Sequence, residues 1–152
     1  MFGAFKKICK NAQNLNTNEV FEGIMDLPRI QEKVVSLNQQ QMYEQGENAK
    51  GEQIGQYAYN TIVGTTKYEG KIAKGQRYDH ITLLDTGEFY GSMKVLTGTE
   101  GFLVTGDTEK EDIDIGLIYP DILGLTQESK SELIVEVKPL FVEETKRKIL
   151  TR

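Results

Sequence analysis

Residues recur at three-four spacing through the apolar Leu27, Ile30, Val34 and Leu37 to Gln41 or Met42, which predicts an amphipathic helix over "PRIQEKVVSLNQQQMYEQG". Pro28 suits its first helical position, where no backbone N–H is needed, and Gly46 suits its C-terminal cap. A shorter helix is predicted to begin near Asn18, with Val20, Phe21 and Ile24 on one face. The Asn- and Lys-rich residues 1–18 carry too little periodic apolar content for a packed element and read as a flexible arm. That leaves residues 19–152 as a single domain. Three glycines mark residues 46–56 as a loop. The stretch "YAYNTIVGTTKYEG" fits neither the helical nor the strand period and reads as a short helix or irregular segment.

From His80 onward the pattern turns to β. "HITLL" is a short strand candidate. "EFYGSMKVLTG" and "EGFLVTG" form a hairpin about a Gly-bearing turn at residues 98–101. An apolar stretch, "DIGLIYPDILGLT", is broken by Pro120. At the C-terminus "ELIVEV" has strand composition, but its flanks are helical. Thr126 or Ser129 can cap a helix there, and Ser129-x-x-Glu132 resembles a capping box. The predicted helix restarts or kinks at Pro139. It ends with Glu143–Glu144 ahead of Lys146–Arg147–Lys148, the order that suits a helix dipole. The pattern as a whole predicts an α+β fold. A long N-terminal helix and a C-terminal helix pack on a small antiparallel sheet centred on residues 81–106.

The composition, 38% apolar and 27% charged over 152 residues, allows a hydrophobic core of ordinary size. The net charge of −5 gives no general attraction for phosphates, so no sequence-specific nucleic-acid binding is expected. The charge is unevenly spread. Lys67, Lys71, Lys74 and Arg77 fall in a basic glycine-containing loop, whereas residues 106–116, with Asp112 and Asp114, are strongly acidic. Patches of opposite sign suit head-to-tail self-association or docking on a partner. A single cysteine, Cys9, supports neither a disulfide framework nor a Cys-rich metal site, as for a chain made in a reducing compartment. No apolar run approaches the length of a membrane span, and the first ten residues lack the apolar core of a signal peptide.

Candidate chemistry centres on Asp85-Thr86-Gly87, reached through Leu83 and Leu84. Retroviral-type aspartic proteases present their catalytic aspartate in this tripeptide and share a proton between two carboxylates by dimerising. The same residues also make an ordinary turn, with a capping carboxylate and a glycine free to adopt positive φ. Glu88 stands where the protease pattern has a small residue. "DILGLT" lies too close in sequence to serve as its later apolar-Gly segment. His80, the single histidine, has no metal-ligand cluster around it. A Ser92–His80–Asp85 set lacks a nucleophile-elbow pattern. No P-loop spacing and no calcium-loop pattern is present. The residues read as those of a non-enzyme that needs no cofactor.

A longer pattern runs from Met42 to Asp107. It comprises Gly51, Tyr57, Thr61 and Lys67, then Gly75, then Leu84, Thr86, Gly87, Phe89 and Ser92, and last Val104 and Gly106. This order resembles the small tailed-bacteriophage virion-morphogenesis, tail-completion or head-tail connector (neck) proteins. The resemblance implies a structural subunit that forms a homo-oligomeric ring and contacts the portal or other neck and tail proteins. It also implies a place in the virion, with assembly in the host cytoplasm. Under it the Asp85–Thr86–Gly87 turn, with Phe89 and Ser92, positions the hairpin.

Overall fold

The computed structural model describes residues 2–110 and 112–151. The helices α1 (Phe2–Gln13), α2 (Thr17–Met25) and α3 (Pro28–Gln40) come first, and a π-helical turn (Gln41–Gln45) extends α3. Asn16 starts α2, its Oδ1 accepting from the backbone N–H of Asn18 at 3.1 Å. Pro28 occupies the start of α3 as expected, and Gly46 ends the π turn at φ +68°. Gly46 has no room for a side chain, because an added Cβ would stand 2.6 Å from the His80 ring. The chain then passes through loops and the short α4 (Tyr59–Val63) and α5 (Glu88–Ser92). A hairpin of β1 (Lys94–Gly98) and β2 (Gly101–Thr105) follows, then β3 (Glu109–Lys110), β4 (Ile113–Asp114), α6 (Ile115–Ile118) and the 25-residue α7 (Gln127–Thr151).

The protein is α+β, with helices packed on a small antiparallel hairpin. The main core joins Val20, Ile24 and Met25 of α2 to Ile30, Val34 and Leu37 of α3. Leu133 and Val137 of α7 close it on one side, and Val95 and Val104 of the hairpin on another. The period-two rule is visible in the hairpin register. Val95 pairs with Val104 and both point into the core, while the next pair, Leu96 and Leu103, faces outward.

Several expectations need correction. Residues 2–13, read as part of an arm without structure, form α1, whose Asn11 Nδ2 donates to the Ile149 carbonyl of α7. "HITLL" joins no sheet. Leu83 adopts φ +56°, which breaks the strand path, and the backbone groups of this stretch bond to loop and side-chain partners instead. Glu88–Ser92, read as the start of the first hairpin run, form helix α5 behind the left-handed Gly87, so the main hairpin is confined to residues 94–105. The C-terminal segment is one helix that contains both "ELIVEV" and Pro139. Proline removes the hydrogen bond to the carbonyl four residues back, that of Val135, which lies on an exposed part of the helix where water can replace it. Thr126, not Ser129, caps α7: the Ser129 N–H donates to Thr126 Oγ1 at 3.1 Å. The Ser129–Glu132 box does not form, and Glu132 pairs with Lys33.

Two fully buried amides of α3 and its π turn join the halves of the fold. Asn38 donates to the Ile122 carbonyl at 3.0 Å and accepts from the Gly124 N–H at 2.8 Å. Gln41 donates to the Gly124 carbonyl at 2.7 Å. Its Oε1 accepts from the Thr126 N–H at 3.0 Å and from the Ser129 hydroxyl at 3.1 Å. The loop entering α7 is thus read by side chains as a strand would be read by a ladder. Replacing Gln41 with Leu leaves the Gly124 carbonyl and Thr126 N–H buried and unpaired. We expect a loss of roughly 2–5 kcal/mol in urea unfolding, at the upper end of single-site effects. A loss under about 1 kcal/mol would mean that the loop is held some other way.

Candidate functional site

Three segments singled out in the sequence enclose one cleft of about 840 Å³. The first runs from Tyr57 through α4 to the basic loop, the second carries the Asp85–Thr86–Gly87 turn into α5, and the third is the acidic stretch ending at Ile115. The first segment is folded tightly on itself. A Cβ on Gly70 would lie 2.2 Å from the Gly64 backbone nitrogen, so only glycine allows this crossing.

The wall behind the turn is a hydrogen-bonded stack around the buried Thr82. Its N–H donates to the Tyr57 hydroxyl at 2.9 Å, and its carbonyl accepts from the Tyr90 hydroxyl at 2.6 Å. Burial pushes the Tyr90 phenol pKa upward, so it remains a donor across the neutral range. The next residue, Leu83, takes its left-handed conformation here, and Leu84 follows with its carbonyl turned toward Lys71. Lys71 is itself buried. Its Nζ donates to the Leu84 carbonyl at 2.8 Å and to Gln76 Oε1 at 3.1 Å, and lies 4.5 Å from the centre of the Tyr57 ring. The strained Leu83 is thus held from both sides, through Thr82 by the two tyrosine hydroxyls and through Leu84 by Lys71.

Asp85 links the basic and acidic segments. Its Oδ1 accepts from Lys74 Nζ at 2.8 Å and its Oδ2 from Lys110 Nζ at 2.7 Å. Hydrogen bonding first to Lys110 and then to Lys74 lowers its pKa to about 2. Gln76 donates to the Asp85 carbonyl at 2.8 Å. Thr86 Oγ1 accepts from the Glu88 N–H at 3.4 Å and donates to its carboxylate at 3.0 Å, and Gly87 at φ +89° precedes α5. Phe89 packs edge-on to Tyr90. Ser92 donates to the Phe89 carbonyl at 2.7 Å and accepts from the Asp107 N–H at 2.8 Å, which ties α5 to the end of the hairpin.

The basic and acidic patches therefore meet within one molecule through Lys74, Asp85 and Lys110, instead of standing apart. Arg77 binds Glu44 and Asp79 at 2.8 and 2.7 Å and anchors its loop to the π turn. Lys67 is exposed, with its ammonium 5.0 Å from the Tyr68 ring centre. Asp114 caps α6 through the Gly116 N–H at 2.8 Å. Its pKa is lowered, first by a hydrogen bond from Thr108. Asp112 is exposed beside β4, and Glu111 of the same acidic run lies outside the described residues. His80 bonds to the Tyr43 carbonyl at 2.9 Å, away from Ser92 and Asp85, so the three do not form a relay. Thr82 and Tyr90 were missed as parts of the site, and the places of Leu83 and Tyr57 in its wall were not foreseen. The tyrosines, whose hydroxyls need a partner wherever the ring packs, were the available clue, whereas a positive φ at leucine has no sequence signal.

An aspartic dyad needs a carboxylate that shares a proton with a second one. Asp85 instead faces two ammonium groups that favour its ionised form. Among the described residues no three His, Cys, Asp or Glu side chains are grouped to hold a metal ion, and no helix is long and apolar enough to cross a membrane. Comparison with known proteins finds no matching family model, curated protein or solved structure.

Lys71 and Asp85 are expected to differ in weight. Lys71→Met orphans the Leu84 carbonyl in a buried wall and should cost about 1.5–3 kcal/mol, whereas Asp85→Asn acts at a partly solvated pair and should cost at most about 1 kcal/mol. The Asp85 contribution has a definite pH dependence, because its folded pKa lies below the unfolded value. It is fully present above the ordinary carboxylate pKa of about 4 and is lost as pH falls through about 2. Urea unfolding of the wild type and Asp85→Asn should give a constant difference from neutral pH down to that range and convergence below it. A difference that grows on acidification contradicts the assignment.

Proposed function

We propose that this chain is a non-catalytic assembly subunit, a ring-forming component of the head-tail junction of a tailed-phage particle, at the connector or tail-completion position. The carrying observation is its surface. The accessible area is 10096 Å², against about 7,800 Å² for a compact monomer of this mass. Much of the outward surface is apolar. Leu96 and Leu103 stand side by side on the open face of the hairpin at 56% and 59% exposure. Ile134, Val135 and Val142 lie on the outside of α7, and Leu117 on α6. Faces of this kind are what a subunit closes against neighbours, and copies meeting through two different faces generate rings.

The resemblance between Met42 and Asp107 supports the same reading and supplies its phage context. Its motif residues have structural work to do here. Gly87, Phe89 and Ser92 connect the turn to the hairpin, and Lys67 and Gly75 lie in the loop that Asp85 fastens. Other copies of the chain and the portal or further neck and tail proteins are the proposed partners, in the virion and, during assembly, in the host cytoplasm. The alternative of a dimeric aspartic protease draws on the position of Asp85 at a large cleft. The pairing of that carboxylate with Lys74 and Lys110 favours a structural use instead.

Quantitative mass spectrometry of purified particles from the source tests the proposal. The expected result is a copy number matching one ring per particle. Absence from the particle removes the connector reading, and peptidase activity abolished by Asp85→Asn would replace it.

A further inference from the structure

We infer that the cleft beside Asp85 receives helix α1 of a second copy of this chain, with Phe2 and Phe5 as its anchors. The inference deepens the assembly reading and rests on it.

Helix α1 has one face in use and one free. At 100° per residue, Ile8 and Asn11 fall on one side; Ile8 is partly buried, and Asn11 bonds to the Ile149 carbonyl of α7. Phe2, Phe5 and Cys9 fall on the side turned about 120–180° from Asn11, with Phe5 about 60° from Ile8. Phe2 is 85% exposed and Phe5 66%, and no residue of the helix is buried. Two phenylalanines on the free face of a surface helix are anchors without a pocket. Within their own subunit both rings are thus left to solvent.

The cleft has the size and lining of a receiving site. Its volume of about 840 Å³ accommodates aromatic side chains, and Leu83, Phe89 and Ile115 supply apolar lining. Its charge selects the partner. Glu69, Asp85, Glu88, Asp107 and Glu109 oppose only Lys71, Lys74 and Lys110, and the last two are taken up by Asp85. The exposed carboxylates of Glu69, Glu88, Asp107 and Glu109 remain as an acidic rim. Residues 2–18 hold Lys6, Lys7 and Lys10 and no acidic residue. Lys6 and Lys10, four residues apart, share a flank of the Phe face. Apolar anchors framed by lysines thus match an apolar cleft framed by carboxylates. Because arm and cleft are different surfaces, each copy gives one and receives one. That is the heterologous contact from which rings are built.

Sedimentation velocity of the full chain and two variants tests this. Phe2→Ser/Phe5→Ser removes the anchors, and Glu69→Lys/Glu109→Lys reverses the rim. All four positions are exposed, and circular dichroism melts verify the fold of each variant. The wild type should form oligomers beyond the dimer, and each variant alone should associate at least tenfold more weakly. Mixed one to one, the variants retain one good arm and one good cleft between them. They should form a dimer and nothing larger. A wild type that remains monomeric at every concentration overturns the inference, as does a variant that assembles like the wild type or a mixture that stays monomeric. Failure here with a ring's worth of copies in the particle leaves the phage reading standing. Complementation by a chain absent from particles removes that reading and keeps the arm-and-cleft contact.

Discussion

The fold depends on the grip of two buried amides, Asn38 and Gln41, on residues 122–126. Without it, α7 would join the rest of the molecule through apolar side chains, which do not specify position along a helix, and through polar links at partly exposed positions such as Lys33–Glu132 and Asn11–Ile149. The amides pair in both directions with backbone groups that are shielded from water. A shift of the loop by one residue would break all of these bonds together, and each unpaired group carries its own desolvation cost. The grip thereby sets where α7 begins, which of its residues reach α2 and α3, and how Ile122 and Leu125 enter the core. The π turn belongs to the same device. It keeps both Gln41 and Met42 buried where a regular helix would rotate the second away sooner.

The cleft is built on the other end of that device. Gly46 closes the π turn against the His80 ring, and from His80 the chain runs directly into Thr82, Leu83 and the Asp85 turn. The unusual backbone of Leu83 is tolerated because Tyr57, Tyr90 and Lys71 satisfy the polar groups around it. Asp85 then fastens two loops that have no β-ladder between them. One lysine from the basic loop and one from the acidic stretch converge on its carboxylate and so join one loop to the other. The acidic rim left over is what makes the cleft selective for a basic segment.

A large apolar surface and a pre-formed cleft are compatible in one small protein if both are interfaces. The outward leucines of the hairpin and the valines of α7 form broad faces, whereas the cleft is local and charged. Broad apolar faces contribute area, and a local charged site contributes register and partner choice.

Sequence alone determined the elements whose signals are local. The spacing of Ile30, Val34 and Leu37, Pro28 at the start and Gly46 at the end defined the main helix, and the Gly-flanked alternation of Val95 and Val104 defined the hairpin. The α+β class followed from these. The helix over "ELIVEV" was only partly legible, since β-branched content argued one way and its caps the other. Burial of Leu133 and Val137 at helical spacing decided it. At the site, the Asp85–Thr86–Gly87 turn and the two charged stretches could be read off the chain. That they converge on one cleft could not, because Lys74 and Lys110 meet Asp85 across sequence separations of 11 and 25, contacts that no local period encodes. The fate of "HITLL" and of residues 2–13 was likewise tertiary. A strand composition yields to side-chain hydroxyls that bind its backbone, and a weak helix is retained where α7 gives it a face to lie on.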